Sequence, residues 1–128
     1  MKPRERVSSG GKYEELVGYS RAVKAGKLIF VSGTGSVDPK RENAGANEVY
    51  LQTKEALKTI EQALDRLGGS LENVVRTRVF VRSDADWKLA AKAHQETFEK
   101  IKPASTWLVG LFLDPKILVE IEADAVLD

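Results

Sequence analysis

The sequence predicts an α+β domain with the element order ββαβαββ, in which two helices cover one face of a single β-sheet. Residues 47–67 and about 85–101 carry apolar side chains at helical spacing. Residues 74–82 and 118–126 instead alternate between aliphatic and charged side chains, as strands with one covered face do. Two helices can cover one face of such a sheet but not both, so the other face needs a different explanation.

Local signals set the element boundaries. Gly68-Gly69 ends the first helix, and "SDAD" provides an N-cap before the second helix, which Pro103 ends. Leu28–Val31 is apolar at every position, which predicts a strand buried on both faces. The predicted strands are Ser20–Val23, Leu28–Ser32, Val74–Val81, Ser105–Leu111 and Leu118–Val126.

Size and composition indicate one domain over residues 1–128, with residues 1–12 as a flexible lead-in. A net charge of +1 gives no broad basic surface, so nucleic acid is not expected as a partner. The absence of cysteine excludes disulfides and thiolate chemistry. The N-terminal residues lack the apolar stretch of a signal peptide, and no apolar run could span a bilayer. We therefore expect a cytoplasmic protein without a membrane partner.

The face opposite the helices is predicted to carry opposite charges on two strands. Arg76, Arg78 and Arg82 share one face of their strand, and the last strand carries Glu120, Glu122 and Asp124 on one face. These rows could form cross-strand ion pairs on a solvated sheet, or this face could close against other subunits. The fully apolar run Leu28–Val31 favours the second interpretation.

Few residues suggest chemistry by themselves. The single histidine, His94, lies on the apolar stripe of the second helix, which favours a packed, hydrogen-bonded ring over a metal ligand or catalytic base. "SGTGS" at residues 32–36 lacks the spacing of nucleotide-binding loops and favours a tight turn. Tyr19 could contact a ligand through its hydroxyl or cap the first strand. No metal or cofactor is expected.

Several segments together resemble the Rid (YjgF-like) family of reactive intermediate/imine deaminases. They are "GYSRAVKAGKLIFVSGTGSVDP", "QTKEALKTIEQALDRLGGSLENVVRTRVFV", "HQETF" with Trp87 upstream, and "KPAST…LVEIEADAV". The resemblance extends from about Gly18 to the end of the sequence. It implies a chorismate-mutase-like fold and a homotrimer in which the helix-free sheet faces form a central barrel. Three small-molecule clefts would lie between the subunits.

The resemblance also implies an activity and a set of site residues. The family's best-known reaction is hydrolysis of enamines and imines to an oxo acid and ammonia. It uses an arginine for the substrate carboxylate and a carboxylate that positions water. Tyr19 matches the family's tyrosine, Ser32 and Gly33 match its turn, and Glu122 matches its carboxylate. By this match, Glu120 is expected to serve mainly structure.

The arginine of the deaminating members has no match, because Ser105 occupies its position. Trp107 stands where those members tend to have a small residue, and Ala91 where they often carry an asparagine. The segments "GYSRAV" and "PAST" are similar to branches that lack the arginine. Arg21, Arg76 or Arg78 could reach the cleft from elsewhere, although the resemblance implies that the latter two line the barrel.

Three functional hypotheses remain from the sequence. The first is a trimeric enzyme whose intersubunit clefts hydrolyse an enamine, an imine or a related C–N compound that is not anchored by an arginine. The second is a non-catalytic module in which Ser105, Thr106 and Glu122 hold a metabolite, with Trp107 in the same cleft. The third is RNA cleavage or inhibition of translation, which the single histidine and the near-neutral charge disfavour.

Overall fold

A computed structural model describes residues 4–36 and 48–128 of the chain. The described residues form one six-stranded sheet with the strand order β1-β2-β3-β6-β4-β5, in which only β4 and β5 are parallel neighbours. The strands are β1 (Glu5–Val7), β2 (Ala22–Ala25), β3 (Leu28–Thr34), β4 (Val74–Arg82), β5 (Ala104–Gly110) and β6 (Val119–Val126). The helices are α1 (Lys12–Val17), α2 (Val49–Arg66) and α3 (Trp87–Phe98), and a short 3₁₀ turn spans Leu71–Asn73.

The predicted α+β class and the order of its seven elements are confirmed. The two long helices, α2 and α3, pack together over one sheet face. Between them and the sheet lies a core of aliphatic residues from every layer, including Ile29, Ile60, Leu64, Val79 and Ile121. The described helices include none that is long and apolar enough to cross a membrane.

Part of the segment predicted as a flexible lead-in belongs to regular secondary structure, and its residues 1–3 lie outside the described residues. Residues Glu5–Val7 form β1, which pairs with β2 at the sheet edge, and α1 begins at Lys12. The physical reason lies in tertiary contacts that local sequence does not reveal. Val7 is buried in the core, and the guanidinium of Arg66 on α2 donates a 2.7 Å hydrogen bond to the carbonyl of Ser8.

The prediction that Leu28–Val31 is buried on both faces is wrong for the single chain. Ile29 and Val31 are 0% and 4% exposed beneath the helices, whereas Leu28 and Phe30 remain 44% and 46% exposed. Alternate residues of a strand point to opposite faces, and nothing in the described chain covers the second face. This uncovered side of the sheet, the helix-free face, therefore carries two large apolar side chains on β3.

His94 occupies the packed, hydrogen-bonded position that its place on the helix predicts. Its Nε2 atom lies 2.9 Å from Thr77 Oγ1, and its ring lies against those of Phe98 and Trp107. Burial lowers the pKa of His94 from 6.5 to about 4. The ring is therefore neutral in the folded protein at neutral pH.

This depressed pKa predicts a loss of stability in mild acid. Between pH 6.5 and about 4 the unfolded chain binds a proton at His94 that the folded chain does not. The free energy of unfolding should therefore fall as the pH is lowered through this window, and His94 should account for up to about 3 kcal/mol of the loss.

Urea unfolding at several pH values between 7 and 4 would measure the effect. His94→Gln is expected to be less stable at pH 7 but to lose less stability on acidification, because glutamine does not titrate. The carboxylates contribute equally to both proteins, so their effect cancels in the comparison. Equal pH dependence in the two proteins would contradict the prediction.

Candidate functional site

The predicted site residues lie at two distant parts of the sheet. Tyr19 precedes β2, and Ser32 and Gly33 lie in β3, whereas Ser105, Thr106 and Trp107 belong to β5 at one edge of the sheet. Strands β6 and β4 separate β3 from β5, which is roughly 14 Å at ordinary strand spacing. A single chain therefore does not bring the two groups together.

Ser32 and Gly33 are part of a strand rather than the predicted turn. Strand β3 continues to Thr34, and its register against β6 shifts between Val31 and Thr34. Ser32 donates hydrogen bonds from its amide to the Arg21 carbonyl and from its hydroxyl to the Ser20 carbonyl. The irregularity in β3 thus occurs at the two residues that the family resemblance places in the cleft.

The three candidate residues on β5 point to different faces of the sheet. Ser105 is the register partner of Thr77, on the helix-covered face, and its Oγ atom lies 2.7 Å from Thr77 Oγ1. The indole of Trp107 donates a 3.0 Å hydrogen bond to the same Ser105 oxygen. Thr106 instead pairs with Arg78 and shares the helix-free face with it.

Ser105 is consequently part of a polar chain within the subunit. The chain runs from Trp107 through Ser105 and Thr77 to His94, with successive distances of 3.0, 2.7 and 2.9 Å. Thr77 and His94 are buried, while Ser105 is exposed at the sheet edge. The serine hydroxyl therefore already has two partners inside its own chain.

Glu122 lies in the row of charges on the helix-free face. It is the register partner of Arg78, whose guanidinium lies 3.4 Å from Glu122 and 3.3 Å from Asp124. The predicted arginine and carboxylate rows do face each other, and Arg78 forms cross-strand ion pairs with Glu122 and Asp124, whereas Arg82 pairs with Asp84 beyond the end of β4. Both carboxylates are partly exposed, so each pair contributes little to stability by itself.

Glu120 is the carboxylate that approaches Gly33. A Cβ atom at residue 33 would lie only 2.8 Å from Glu120 Oε1, so the missing side chain leaves the space that this carboxylate occupies. Within the described part of the chain, Glu120 has no hydrogen-bond or ion-pair partner. Burial raises its pKa above the usual value; the positive charge of Arg21 opposes the rise, and the neighbouring Glu122 adds to it.

The family resemblance places Glu122 in the cleft and implies a mainly structural role for Glu120, whereas in the single chain it is Glu120 that lines the cleft. Glu120 and Glu122 lie on the same face of β6, so the two-residue period of a strand cannot distinguish them. The distinction comes from register, because Glu122 lies opposite Arg78 and Glu120 lies opposite Phe80. At the irregular stretch of β3, the Glu120 carboxylate then lies against the backbone of Gly33.

Arg21 is buried beside this carboxylate, and each of its five N–H groups has an acceptor. One terminal nitrogen donates to the Gly33 carbonyl at 2.6 Å and to Thr34 Oγ1 at 3.0 Å. The other donates to Glu14 at 3.3 Å and to the Tyr19 hydroxyl at 3.5 Å, and Nε donates to Ser9 Oγ. A planar guanidinium offers five donors, so no donor is left for a ligand carboxylate.

Glu14 provides the negative charge that compensates Arg21. Its carboxylate also accepts hydrogen bonds from the Ser9 amide and hydroxyl and from the Gly11 amide. Burial alone would raise the pKa of Glu14, but hydrogen bonds from Ser9 and Ser8, together with the charge of Arg21, lower it below the usual value. The Glu14 carboxylate is therefore ionised in the folded protein at neutral pH and faces the Arg21 guanidinium.

These groups border a cleft of about 730 Å³. Its lining includes Ser9, Tyr19, Arg21, Gly33, Gln62 and Glu120. The volume falls within the range typical of small-molecule sites. Residues 4–36 and 48–128 contain no group of three or more His, Asp or Glu side chains that could hold a metal ion. The arrangement offers a partly desolvated carboxylate, a phenol and a backbone kept accessible by a glycine.

Comparisons with known proteins agree with this architecture. A family model described as endoribonuclease L-PSP matches residues 12–127. A crystal structure of a Mycobacterium tuberculosis member of the YjgF/YER057c/UK114 family superposes with a TM-score of 0.86 at 39% identity, covering 98% of this chain and 100% of that one. Escherichia coli TdcF, crystallised with bound serine, has the same fold, with a TM-score of 0.81 at 22% identity over 100% of both chains.

Two curated relatives span most of this chain. An uncharacterised Streptomyces coelicolor protein is 37% identical over 121 residues, which cover 94% of this chain and 90% of that protein. The 3-aminoacrylate deaminase RutC of Acinetobacter baylyi is 29% identical over 123 residues, covering 96% and 98% of the two chains. A C–N bond-cleaving activity is therefore represented among the similar proteins.

The contact between Gly33 and Glu120 leads to a prediction about Gly33→Ala. Gly33 does not have the positive φ that would exclude alanine, so this variant should fold. The added methyl group should move the Glu120 carboxylate until their separation reaches an ordinary contact of 3.4 Å or more. A crystal structure of the variant would measure this displacement.

Gly110→Ala is the matched control, because a Cβ atom at that position meets nothing within 4 Å. It should leave Glu120 where it is. An unmoved Glu120 carboxylate in Gly33→Ala would show that this contact does not determine its position.

Proposed function

Because the chain belongs to the YjgF/Rid family, described by its matching model as endoribonuclease L-PSP, we propose that it hydrolyses the C–N bond of a small imine or enamine. The observation that carries this proposal is the Glu120 carboxylate, held against Gly33 in the cleft with Tyr19 nearby. A partly desolvated carboxylate with a raised pKa is suited to accept a proton from water near neutral pH.

The reaction requires one water and no redox step. An enamine first tautomerises to the imine. Glu120 then accepts a proton from water as the water oxygen bonds to the imine carbon, and it passes this proton to the imine nitrogen, which gives a neutral carbinolamine. Glu120 next accepts the proton of the carbinolamine hydroxyl as the C–N bond breaks, and it gives that proton to the departing nitrogen, which leaves as ammonia. The products are a carbonyl compound and ammonia, so the carboxylate ends in its starting state.

Neither Arg21 nor Arg78 offers a free pair of donors for a substrate carboxylate, and Arg66, which also lines the cleft, donates to the Ser8 carbonyl. Arg21 has used all five donors, and Arg78 lies between Glu122 and Asp124. Ser105, at the position where the resemblance implies an arginine, is hydrogen-bonded to Thr77 and Trp107. A substrate carboxylate buried here without a cationic partner would be unfavourable, since removing one partner of a buried charge pair costs about 2–5 kcal/mol. We therefore propose that the preferred substrate carries no free carboxylate.

A second copy of the chain would complete the site. Tyr19, Gly33 and Glu120 lie toward one side of the sheet, while Ser105, Thr106 and Trp107 lie on β5 at an edge. Strand β5 has seven residues and no charged side chain, which is unusual for an edge strand that remains in water. The helix-free face also exposes Leu28, Phe30, Leu108 and Val126. These features support a homotrimer with clefts between its subunits.

The alternatives differ in what they require of the site. A non-catalytic metabolite-binding module would use the same cleft, with Ser105, Thr106 and Glu122 holding the ligand, and would not accelerate hydrolysis. RNA cleavage is suggested by the family description. His94 is buried with a pKa of about 4, so it cannot supply the exchangeable proton of a histidine-dependent nuclease near neutral pH.

The proposed assembly predicts a defined mass in solution. Sedimentation at micromolar concentration should give three times the 14.1 kDa of one chain. Phe30→Glu should dissociate the trimer, because it would bury an unpaired charge in the interface. Leu51→Glu is the matched control, since Leu51 is equally exposed but belongs to α2. A monomeric wild-type protein would contradict both the assembly and a site shared between subunits.

The proposed reaction predicts different effects for the two neighbouring carboxylates. Glu120→Gln should reduce the acceleration of imine hydrolysis about a hundredfold or more, because the group that accepts the proton is lost. Glu122→Gln should retain most of the activity, since Glu122 pairs with Arg78. Ammonia release would be measured with a neutral imine generated by an amine oxidase and with an imine acid generated by an amino-acid oxidase.

Wild-type protein should act on the neutral imine and barely accelerate hydrolysis of the imine acid. Efficient turnover of the imine acid would contradict the proposed substrate class. Loss of activity in Glu122→Gln but not in Glu120→Gln would assign catalysis to the other carboxylate. Ligand binding without turnover would favour the binding module, and cleavage of RNA that requires Glu120 would favour the nuclease.

A further inference from the structure

We propose that Arg21 is a positioning residue for the cleft, and that Glu14 regulates how strongly the charge of Arg21 acts on Glu120. The N-terminal segment Ser9–Glu14 then belongs to the site, because it holds the carboxylate that pairs with Arg21. The inference rests on the proposed function, in which Glu120 accepts a proton from water. Its test requires no substrate, so the two proposals can fail independently.

The first support for this role is geometric. Arg21 donates to both the Gly33 carbonyl and the Thr34 hydroxyl, and Thr34 in turn donates to the Ser32 carbonyl. These bonds fix β3 where its register against β6 shifts. Gly33 is also the residue whose missing side chain makes room for Glu120. The guanidinium therefore holds the stretch of backbone against which this carboxylate lies.

The second support is the burial of the ion pair. The side chains of Arg21 and Glu14 are only 8% and 5% exposed, and their charged atoms lie 3.3 Å apart. An uncompensated charge at this depth would be costly, so each member requires the other. Because Glu14 also accepts hydrogen bonds from Ser9 and Gly11, its position depends on the N-terminal segment. The compensation of Arg21 is thus supplied from outside the main sheet.

The third support is the backbone conformation on both sides of α1. Gly10 and Gly18 have φ angles of 79° and 95°, in the left-handed region that favours glycine. These residues turn the chain out of β1 and back toward β2, so that the six-residue helix α1 brings Glu14 to Arg21. The segment is shaped to deliver one carboxylate to one arginine.

The charges around Glu120 determine the direction in which its titration midpoint should move in each variant. Arg21, just before β2, is the nearby cation, and Glu122 is the neighbouring anion on β6. The same cleft is also lined by the charged residues Lys12 on α1, Glu55, Asp65 and Arg66 on α2, and Asp114 and Lys116 before β6. Arg78, on β4, is engaged by Glu122 and Asp124. Arg21 favours the ionised form of Glu120, and Glu14 offsets part of this effect. Removing Glu14 and removing Arg21 should therefore move the titration of Glu120 in opposite directions.

Carbon-13 NMR of the glutamate carboxyl groups would test this in the full-length protein, with Glu120 assigned by its absence in Glu120→Gln. In Glu14→Gln, the titration midpoint of Glu120 should move downward by roughly half a pH unit or more, because Arg21 loses its counter-charge. In Arg21→Met it should move upward. The double variant should lie between the two single variants, since both charges are removed together.

Two further variants separate this role from a purely structural one. Glu14→Asp keeps the negative charge, so the titration midpoint of Glu120 should stay close to its wild-type value. This variant also provides a comparison if Glu14→Gln folds poorly. Lys24→Gln removes the cation of an exposed pair with Glu5 and should leave the Glu120 midpoint unchanged. If Glu14→Gln folds but leaves the Glu120 midpoint unchanged, or if Lys24→Gln moves it as far as Glu14→Gln does, the proposal is wrong.

Discussion

The structure depends on one requirement: each central strand must present aliphatic side chains to the helices on one face and polar or charged side chains on the opposite face. On β4 and β6, one set of alternate residues packs under α2 and α3, and the other set faces away from the helices. The first set is aliphatic and provides the core. The second set places arginines beside carboxylates, and its members are kept at that face because a one-residue slip would move every core side chain to the wrong side.

This same constraint explains why much of the fold can be predicted from the sequence. The helical spacing of α2 and α3 and the alternation of β4 and β6 reflect burial that repeats along the chain, which local sequence records. Strand β1 and helix α1 depend on single tertiary contacts instead, such as the burial of Val7 and the pair between Arg21 and Glu14. A Ser- and Gly-rich segment carries no periodic signal of such contacts.

The site is less predictable than the fold because it depends on register and on an irregular strand. Alternation places Ser105 and Trp107 on the face opposite to Thr106, but it does not identify which face borders the cleft. It also groups Glu120 with Glu122, and only the contact with Gly33 separates them. The buried arginine could be named as a candidate from the sequence, whereas its complete set of acceptors follows from the folded backbone around it.

The central position of β6 has a consequence for how the chain folds. Strands β1, β2 and β3 form one half of the sheet, β4 and β5 form the other, and β6 alone pairs with both halves. Residues 119–126 follow all the other described strands in the sequence, so the strand that joins the two halves of the sheet is the last of these strands to be synthesised. The hairpin β2–β3 needs only local contacts, whereas the pairing of β3 with β6 spans about ninety residues and is slow to form on entropic grounds. The sheet is therefore complete only when this one strand pairs with both β3 and β4, and a chain without it would leave an edge of each of those strands unpaired.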